Sequence, residues 1–399
     1  MIHTRRMLVN AGIISLFLIY AFSWFRIVLV PSQRTGADFI SFYTAGQIAW
    51  QNGFSHVYDL QLQQHVQEKI VGFNIAPEQV LPFNHMPFLI PLLALIALPN
   101  YIVSFILWDL LLLSAYIVGF YFLFKSLPPS IKSPAVVIGI SLFYPIFISI
   151  VDGQDTAFLF LTLTFFVYAM RIEKYDWAGI ALAFSFIRPQ VTLFIAIPFL
   201  MAVKKGRWAF MITAAALAGI SVLLLSWSGV VNFLNIILLT ANNSLLGIKP
   251  EEMLNLLGLL TRSFQPGSSS IINWVADGSF VIGTAVFSIA WLQKRMIDFS
   301  LLGATIIGSV FFSLHLHFHD LSLLVIPFMM ALSLVFSKTK IAGLELFPPI
   351  FAFLFLCCNF LPILKFTIPY LAMIVLLFIL CFPDRIPWIA SFQKGETNV

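Results

Sequence analysis

A small set of side chains, scattered from residue 38 to residue 320, has types and spacings that could do chemistry: Asp38, Asp59, the Asp152–Gly153–Gln154–Asp155 run, Arg188, and the His315, His317, His319 and Asp320 cluster. Asp38 precedes FISFYTAGQIAW, whose apolar residues recur at helical spacing, so it stands where aspartate caps a helix N-terminus. The same carboxylate, if not capping, could serve as a general base. Asp59 stands ahead of LQLQQHVQEKI with the same two readings. Arg188 lies between two apolar runs, where a charge at mid-span costs about 2.5–3.5 kcal/mol. It must therefore face a phosphate, pair with Asp152 or Asp155, or lie at the interface. On a helix, His315 and His319 would share a face and His317 would point away. Such a pair could hold zinc, bind an anion, assist proton transfer, or be merely polar. No further ligand cluster supports zinc, and no metal or cofactor is expected. Gly-rich nucleotide loops, HExxH and CxxC are absent, and three cysteines make no disulfide framework.

These residues sit in short islands between long apolar runs. The chain is 60% hydrophobic and 10% charged, far from the roughly 25% charged of a soluble domain, which predicts an all-α polytopic membrane protein. Basic islands at Arg5/Arg6, Lys125/Lys132, Arg171/Lys174, Lys204/Lys205/Arg207, Lys294/Arg295, Lys338/Lys340 and Arg385/Lys394 hold 15 of the 22 Lys and Arg. The positive-inside rule places them, and both termini, in the cytoplasm. The islands between them carry the acids Asp38, Asp59, Glu68, Glu78, Asp152, Asp155, Glu251, Glu252, Asp277 and Asp320. The net charge of +5 suits inner loops facing anionic lipid and gives no reason to expect nucleic acid. The first apolar run, about 23 residues, is too long for a signal h-region and reads as an uncleaved helix.

Alternation of the islands gives about twelve spans, near 8–30, 101–124, 133–150, 155–170, 176–187, 190–203, 208–227, 278–293, 299–315, 320–336, 341–358 and 363–382. Residues 87–99 read as interfacial or part-inserted. Residues 176–203 read as two short helices broken at Pro189, with Arg188 at their tip. All 399 residues form one integral membrane domain, with a long first outer loop over 31–100 and a second over 228–277. The first carries short interfacial helices, Phe39 to Trp50 among them. The second is polar enough to act as a lid. Asp109 and Glu345, inside spans, read as buried hydrogen-bonding groups.

The run DFISFYTAGQIAWQNGFSHVYD, then FNHMPFLIPLLALIALP and a span with Trp108, resembles the opening of the family 87 glycosyltransferases. The matching blocks are Asp38/Phe39, Tyr43, Ala45/Gly46, Tyr58/Asp59 and Phe83 to Phe88. Gly153/Gln154 is similar to the family's Gly-Gln block, Arg188/Pro189 to its Lys/Arg-Pro, and the 315–320 loop to its histidine-bearing loop. Asn84 and His85 interrupt the usual Tyr-Pro-Pro-Phe, and Arg188 stands where Lys is common.

The resemblance implies a GT-C-type bundle and a polyprenyl-phosphate-sugar donor whose hexosyl unit, mannosyl or related, passes to a glycan or glycolipid acceptor outside the cytoplasm. It implies Asp38 as general base, with Arg188, His319, Tyr43, Asp59, Gln154 and Asp152 binding substrate. A monophosphate leaving group does not require a metal-binding DxD motif, and one base without a second carboxylate nucleophile implies inversion. Asp38, Arg188 and His319 should then line one cavity. The competing reading is a transporter or flippase of a lipid-linked sugar, and a third is a scaffold in an envelope complex.

Overall fold

The computed structural model describes residues 2–29, 38–241, 249–264, 269–294, 297–336, 346–358 and 360–382. They form helices and connecting turns, with no strand among the described residues. Helix α1 spans Ile2–Leu29, and the segment expected to be a long loop contains α2 (Phe39–Gln51), α3 (Leu60–Val71) and α4 (Ile90–Ile96). Then come α5 (Tyr101–Ser126), α6 (Pro134–Ser141), α7 (Tyr144–Val151) and α8 (Thr156–Arg171). They are followed by α9 (Tyr175–Phe184), α10 (Pro189–Ala202), α11 (Lys204–Ala241), α12 (Leu256–Ser263) and α13 (Ser269–Gln293). The last are α14 (Phe299–Phe311), α15 (Val325–Phe336), α16 (Phe347–Cys357) and α17 (Pro362–Cys381).

Side-chain caps set many of the starts. Asn100 accepts from the amides of Ile102 and Val103, Ser133 from Val136, Asn255 from Gly258 and Asp298 from Leu301, each satisfying N–H groups that a helix leaves unpaired. Proline in the first turn, where its missing N–H costs nothing, opens α6, α7, α10, α16 and α17.

Among the described residues, six helical stretches are long and apolar enough to cross a membrane: Asn10–Leu29, Tyr101–Ser126, Lys204–Thr240, Ser270–Gln293, Phe318–Val335 and Ile363–Cys381. A seventh crossing is available if α6 and α7, bent by 48° at their junction, act together. The expected spans at 155–170, 176–187, 190–203, 299–315 and 341–358 contain helices, but these are only 10 to 16 residues long. A full crossing takes about 20, so helix length does not give twelve complete spans. Hydropathy reads an apolar run; it does not read the polar turns that cut these helices short. Glu345 and the basic pairs at 338/340 and 385/394 lie outside the described residues.

Two expected loops are corrected. Helix α2 does not lie on a surface: ten of its thirteen residues are buried, and Gly46 lets it approach α4, where an added Cβ would come 2.5 Å from the Leu93 carbonyl oxygen. Nor is 228–277 one long loop. Helix α11 runs on to Ala241 past a non-helical residue at Ser226, α12 occupies 256–263, and α13 begins at Ser269. The apolar VVNFLNIILL run sustains the helix where the preceding serines suggested an exit.

Asp109 is buried and accepts from the indole of Trp24 at 2.8 Å, tying α5 to α1. The basic residues Arg171, Lys204, Lys205 and Lys294 line one cavity of about 460 Å³. Helix α8 starts beside Asp155 and ends at Arg171, so one helix length, about 24 Å at 1.5 Å per residue, separates that cavity from the acidic islands. If the two groups face opposite compartments, single cysteines at exposed Lys205 and exposed Glu251, in a chain without its native cysteines, should react with an impermeant maleimide from opposite sides. Labelling of both from the outside of intact cells would break the assignment of sides.

Candidate functional site

The turn after α7 builds the site. Gly153 takes φ +71, a left-handed conformation that costs glycine little. A Cβ there would lie 2.6 Å from the Cβ of Phe39. The Phe39 amide donates to the Asp152 carbonyl at 2.9 Å, and the Trp108 indole donates to the Gly153 carbonyl at 2.7 Å. Two segments therefore pin one turn, and the turn sets Gln154 against Asp38.

Asp38 occupies the N-cap position of α2 but makes no side-chain cap bond. Its Oδ2 instead accepts from Gln154 Nε2. The Gln154 Oε1 accepts in turn from Arg188 Nη2 at 2.6 Å. Arg188 also donates to Asp155 Oδ1 through Nε at 3.0 Å, and its Nη2 forms an ion pair with the same oxygen at 2.8 Å. The other oxygen, Oδ2, receives His85 Nδ1 at 2.8 Å, so the proton of that imidazole sits on Nδ1. His85 is held by the Tyr58 hydroxyl, which donates to its backbone carbonyl at 2.6 Å, and by the Phe42 ring with centroids 4.4 Å apart. The network runs Asp38–Gln154–Arg188–Asp155–His85, drawn from four separate parts of the chain.

Arg188 and Asp155 are both buried. Burial disfavours the Asp155 carboxylate, but Arg188 and then His85 outweigh it and hold its pKa below the usual range. Burial likewise opposes the arginine's charge, and Asp155, Asp320 and Asp38 outweigh that to raise its pKa. Burial, then the charge of Asp38, pushes Asp152 up to about 8.

The 315–320 loop does not take the helical form that would put His317 on another face: the chain is irregular up to His317 and then forms a 3-10 turn over Phe318–Leu324. All three histidines consequently gather, with centroids 4.6 Å apart for His315/His317 and 5.7 Å for His317/His319. Burial first, then His317, pushes His315 down to about 3, and burial lowers His317 as well. Both are neutral hydrogen-bonding rings at neutral pH. Asp320 is anchored by the Thr156 hydroxyl at 3.0 Å and the His317 amide at 3.0 Å.

Asp38, Gln154, Arg188 and His319 line one cavity of about 100 Å³ together with His85, His315 and His317. Arg188, His85 and His315 also line a larger cavity of about 460 Å³. Its walls include Ile187, Ile237, Leu257, Phe280 and Val281. A third cavity, about 720 Å³, reaches Asp152 and is lined by Tyr144, Glu251, Glu252, Arg262, Phe318 and Lys365. The segment bearing Glu251 docks on the histidine loop: Asn255 Nδ2 donates to the Ser313 carbonyl, and Arg262 donates to the hydroxyl of Tyr370.

Two predicted site residues are not brought in. Asp59 accepts from the amides of Gln61 and Leu62 at 3.0 and 3.1 Å, an N-cap of α3. Tyr43 donates to the Leu98 carbonyl at 2.7 Å and packs on Tyr101, fastening α2 to the approach to α5. Conversely, the sequence gives Asp155 and His85 no site role of their own. Asn84/His85 stood out there only as a break in a motif, and Asp155 only as a possible partner of Arg188.

Residues 83–327 match the family model for glycosyltransferase family 87, well over half of the chain, and the chain belongs to that family. No curated relative matches it. The matched stretch holds every network residue but Asp38, which the Phe39–Asp152 and Gln154 bonds deliver to it. Asp155→Asn should be the most damaging isosteric change in the network. An uncompensated buried cation costs about 3–5 kcal/mol, to be read as a large fall in thermal midpoint in detergent. Gly153→Ala should lower activity far more than Gly278→Ala, a helical glycine with open space around it. Equal effects would sever the turn from the site.

Proposed function

We propose that this membrane glycosyltransferase moves a mannosyl or related hexosyl unit, with inversion, from a polyprenyl-phosphate carrier to a lipid-linked or surface glycan on the extracytoplasmic side. The observation that carries the reading is the side chain of Asp38. A capping aspartate would spend its oxygens on the first turn of α2; this one is turned to Gln154 in a cavity it shares with Arg188 and His319.

Asp38 takes the proton of the acceptor hydroxyl as that oxygen forms its bond to the anomeric carbon. The bond from that carbon to the phosphate oxygen breaks, and polyprenyl phosphate leaves with the electron pair. Gln154 holds Asp38 by one oxygen and leaves the other for the proton. Arg188 spends Nε and Nη2 on Asp155 and Gln154, which leaves Nη1 to meet the departing phosphate in a low-dielectric setting. The neutral rings of His315 and His317 supply further donors there. The apolar walls of the 460 Å³ cavity suit the first isoprene units of the carrier. The 720 Å³ cavity on the Asp152 side, with aromatic faces and charged groups, suits a hydroxyl-rich acceptor.

The decisive variant is Asp38→Asn. A positioned base contributes about 10²–10⁴ in rate, so transfer from synthetic polyprenyl-phosphate mannose should fall by at least two orders of magnitude while donor binding persists. Retained transfer sinks the general-base role, and carrier movement across a bilayer without sugar transfer by the parent protein would favour a flippase.

A further inference from the structure

The network leaves three ligating groups with lone pairs unused, and they face one another. Asp155 is saturated by Arg188 and His85, Asp320 by Thr156 and the His317 amide, and Gln154 by Asp38 and Arg188. What remain are the lone pairs that Gln154 leaves free on Asp38, the carboxyl of Asp152 and the imidazole of His319. One ligand atom from each lies within 4.8 Å of the other two. His319 is 5% exposed, and its Nε2 is buried with no hydrogen-bond partner among the described residues. The nearest carboxylate oxygen, Asp320 Oδ2, is 3.6 Å away, too far for a hydrogen bond. Buried polar atoms are nearly always paired, and an orphan of this kind calls for a missing partner.

We infer that Asp38, Asp152 and His319 hold a divalent cation. Metal–ligand bonds of about 2.1 Å put neighbouring ligands about 3 Å apart and opposite ones about 4.2 Å apart, so atoms that lie within 4.8 Å of one another must draw together by about 1 Å or more where they become neighbours around the ion. Two carboxylates and one imidazole suit Mn²⁺, which accepts oxygen-rich sites. The remaining coordination positions are open on both sides. Asp38 and His319 face the small cavity beside Arg188, and Asp152 faces the 720 Å³ cavity. Each carboxylate oxygen carries two lone pairs, so the ion can share the oxygen that accepts from Gln154 and leave the other oxygen of Asp38 for the proton. The ion would draw donor-phosphate oxygens into place and offset the charge that grows on them as the sugar leaves. That role, though not the binding, rests on the proposed transfer reaction.

The test uses the full chain without a histidine tag, purified in detergent and stripped with EDTA. Titration with Mn²⁺, followed by loss of the free-ion electron paramagnetic resonance signal, should give one site per chain. Pulsed measurements on the bound ion should show nitrogen modulation from one imidazole. Asp152→Asn and His319→Gln should each weaken binding at least tenfold, and the second should remove the nitrogen modulation. Absence of a bound ion, a bound ion without nitrogen modulation, or unchanged affinity in both variants overturns the site. The wild-type nitrogen signal alone decides if either variant fails to fold. Sugar transfer by stripped protein that binds no Mn²⁺ refutes the cation and leaves the glycosyltransferase reading standing. A bound ion with no transfer from any polyprenyl-phosphate sugar does the reverse.

Discussion

The buried pairing of Arg188 with Asp155 is the constraint on which the rest of the site depends. Neither ion could be left alone at that depth, because removing two charges from water costs several kcal/mol each even after relaxation. The cost is offset only when every remaining donor and lone pair is met. Here the carboxylate is met on both oxygens, by Arg188 and His85, and the guanidinium reaches on to Gln154. That last bond turns a structural ion pair into a positioning device, since it fixes which way the Gln154 amide points. Its carbonyl faces the arginine, so its N–H₂ must face Asp38.

Placement of Asp38 itself falls to the backbone. The Gly153 turn accepts a positive φ, Phe39 sits where a Cβ on that glycine would go, and the Phe39 amide bonds back to Asp152. Trp108, on the long helix α5, holds the same turn from the other side. An aspartate at the start of a helix would ordinarily relax onto the free amides of the first turn. The competing donor from Gln154 holds it out into the cavity instead, at the expense of α2's own cap.

Much of this was legible in the sequence, for physical reasons that also mark where legibility stops. The break at Arg188/Pro189 was readable because proline cannot continue a helix and a mid-span arginine must find a partner; the structure supplies Asp155. Asp38 and Asp59 looked alike because capping is a local property, and local spacing is the same for both. Only the distant Gln154 separates them. His315, His317 and His319 could be given faces only by assuming a helix, and the chain there is irregular, so their convergence was out of reach. The same holds for Asp38, Asp152 and His319, which come from three segments whose meeting depends on packing and not on spacing. Crossing number is a different matter: island parity assumes that every apolar run crosses completely, and helix length alone does not count twelve such runs, because several of the helices end early in polar turns.

Those short helices place the chemistry. Helices α8, α9, α10 and α14 are 10 to 16 residues long, about 15–24 Å at 1.5 Å per residue, against a hydrocarbon core of about 30 Å. Each has an end at the network: α8 begins after Asp155, α9 leads into Arg188, α10 starts at Pro189, and α14 ends just before the histidine loop. The polar cluster is therefore built among the ends of these short helices, beside the much longer α5 with its 26 residues. A charged group there is affordable only because the shortened helices leave room for partners around it. The same arrangement sets the small cavity at Asp38 beside a larger one with apolar walls, the two joined at Arg188, His85 and His315.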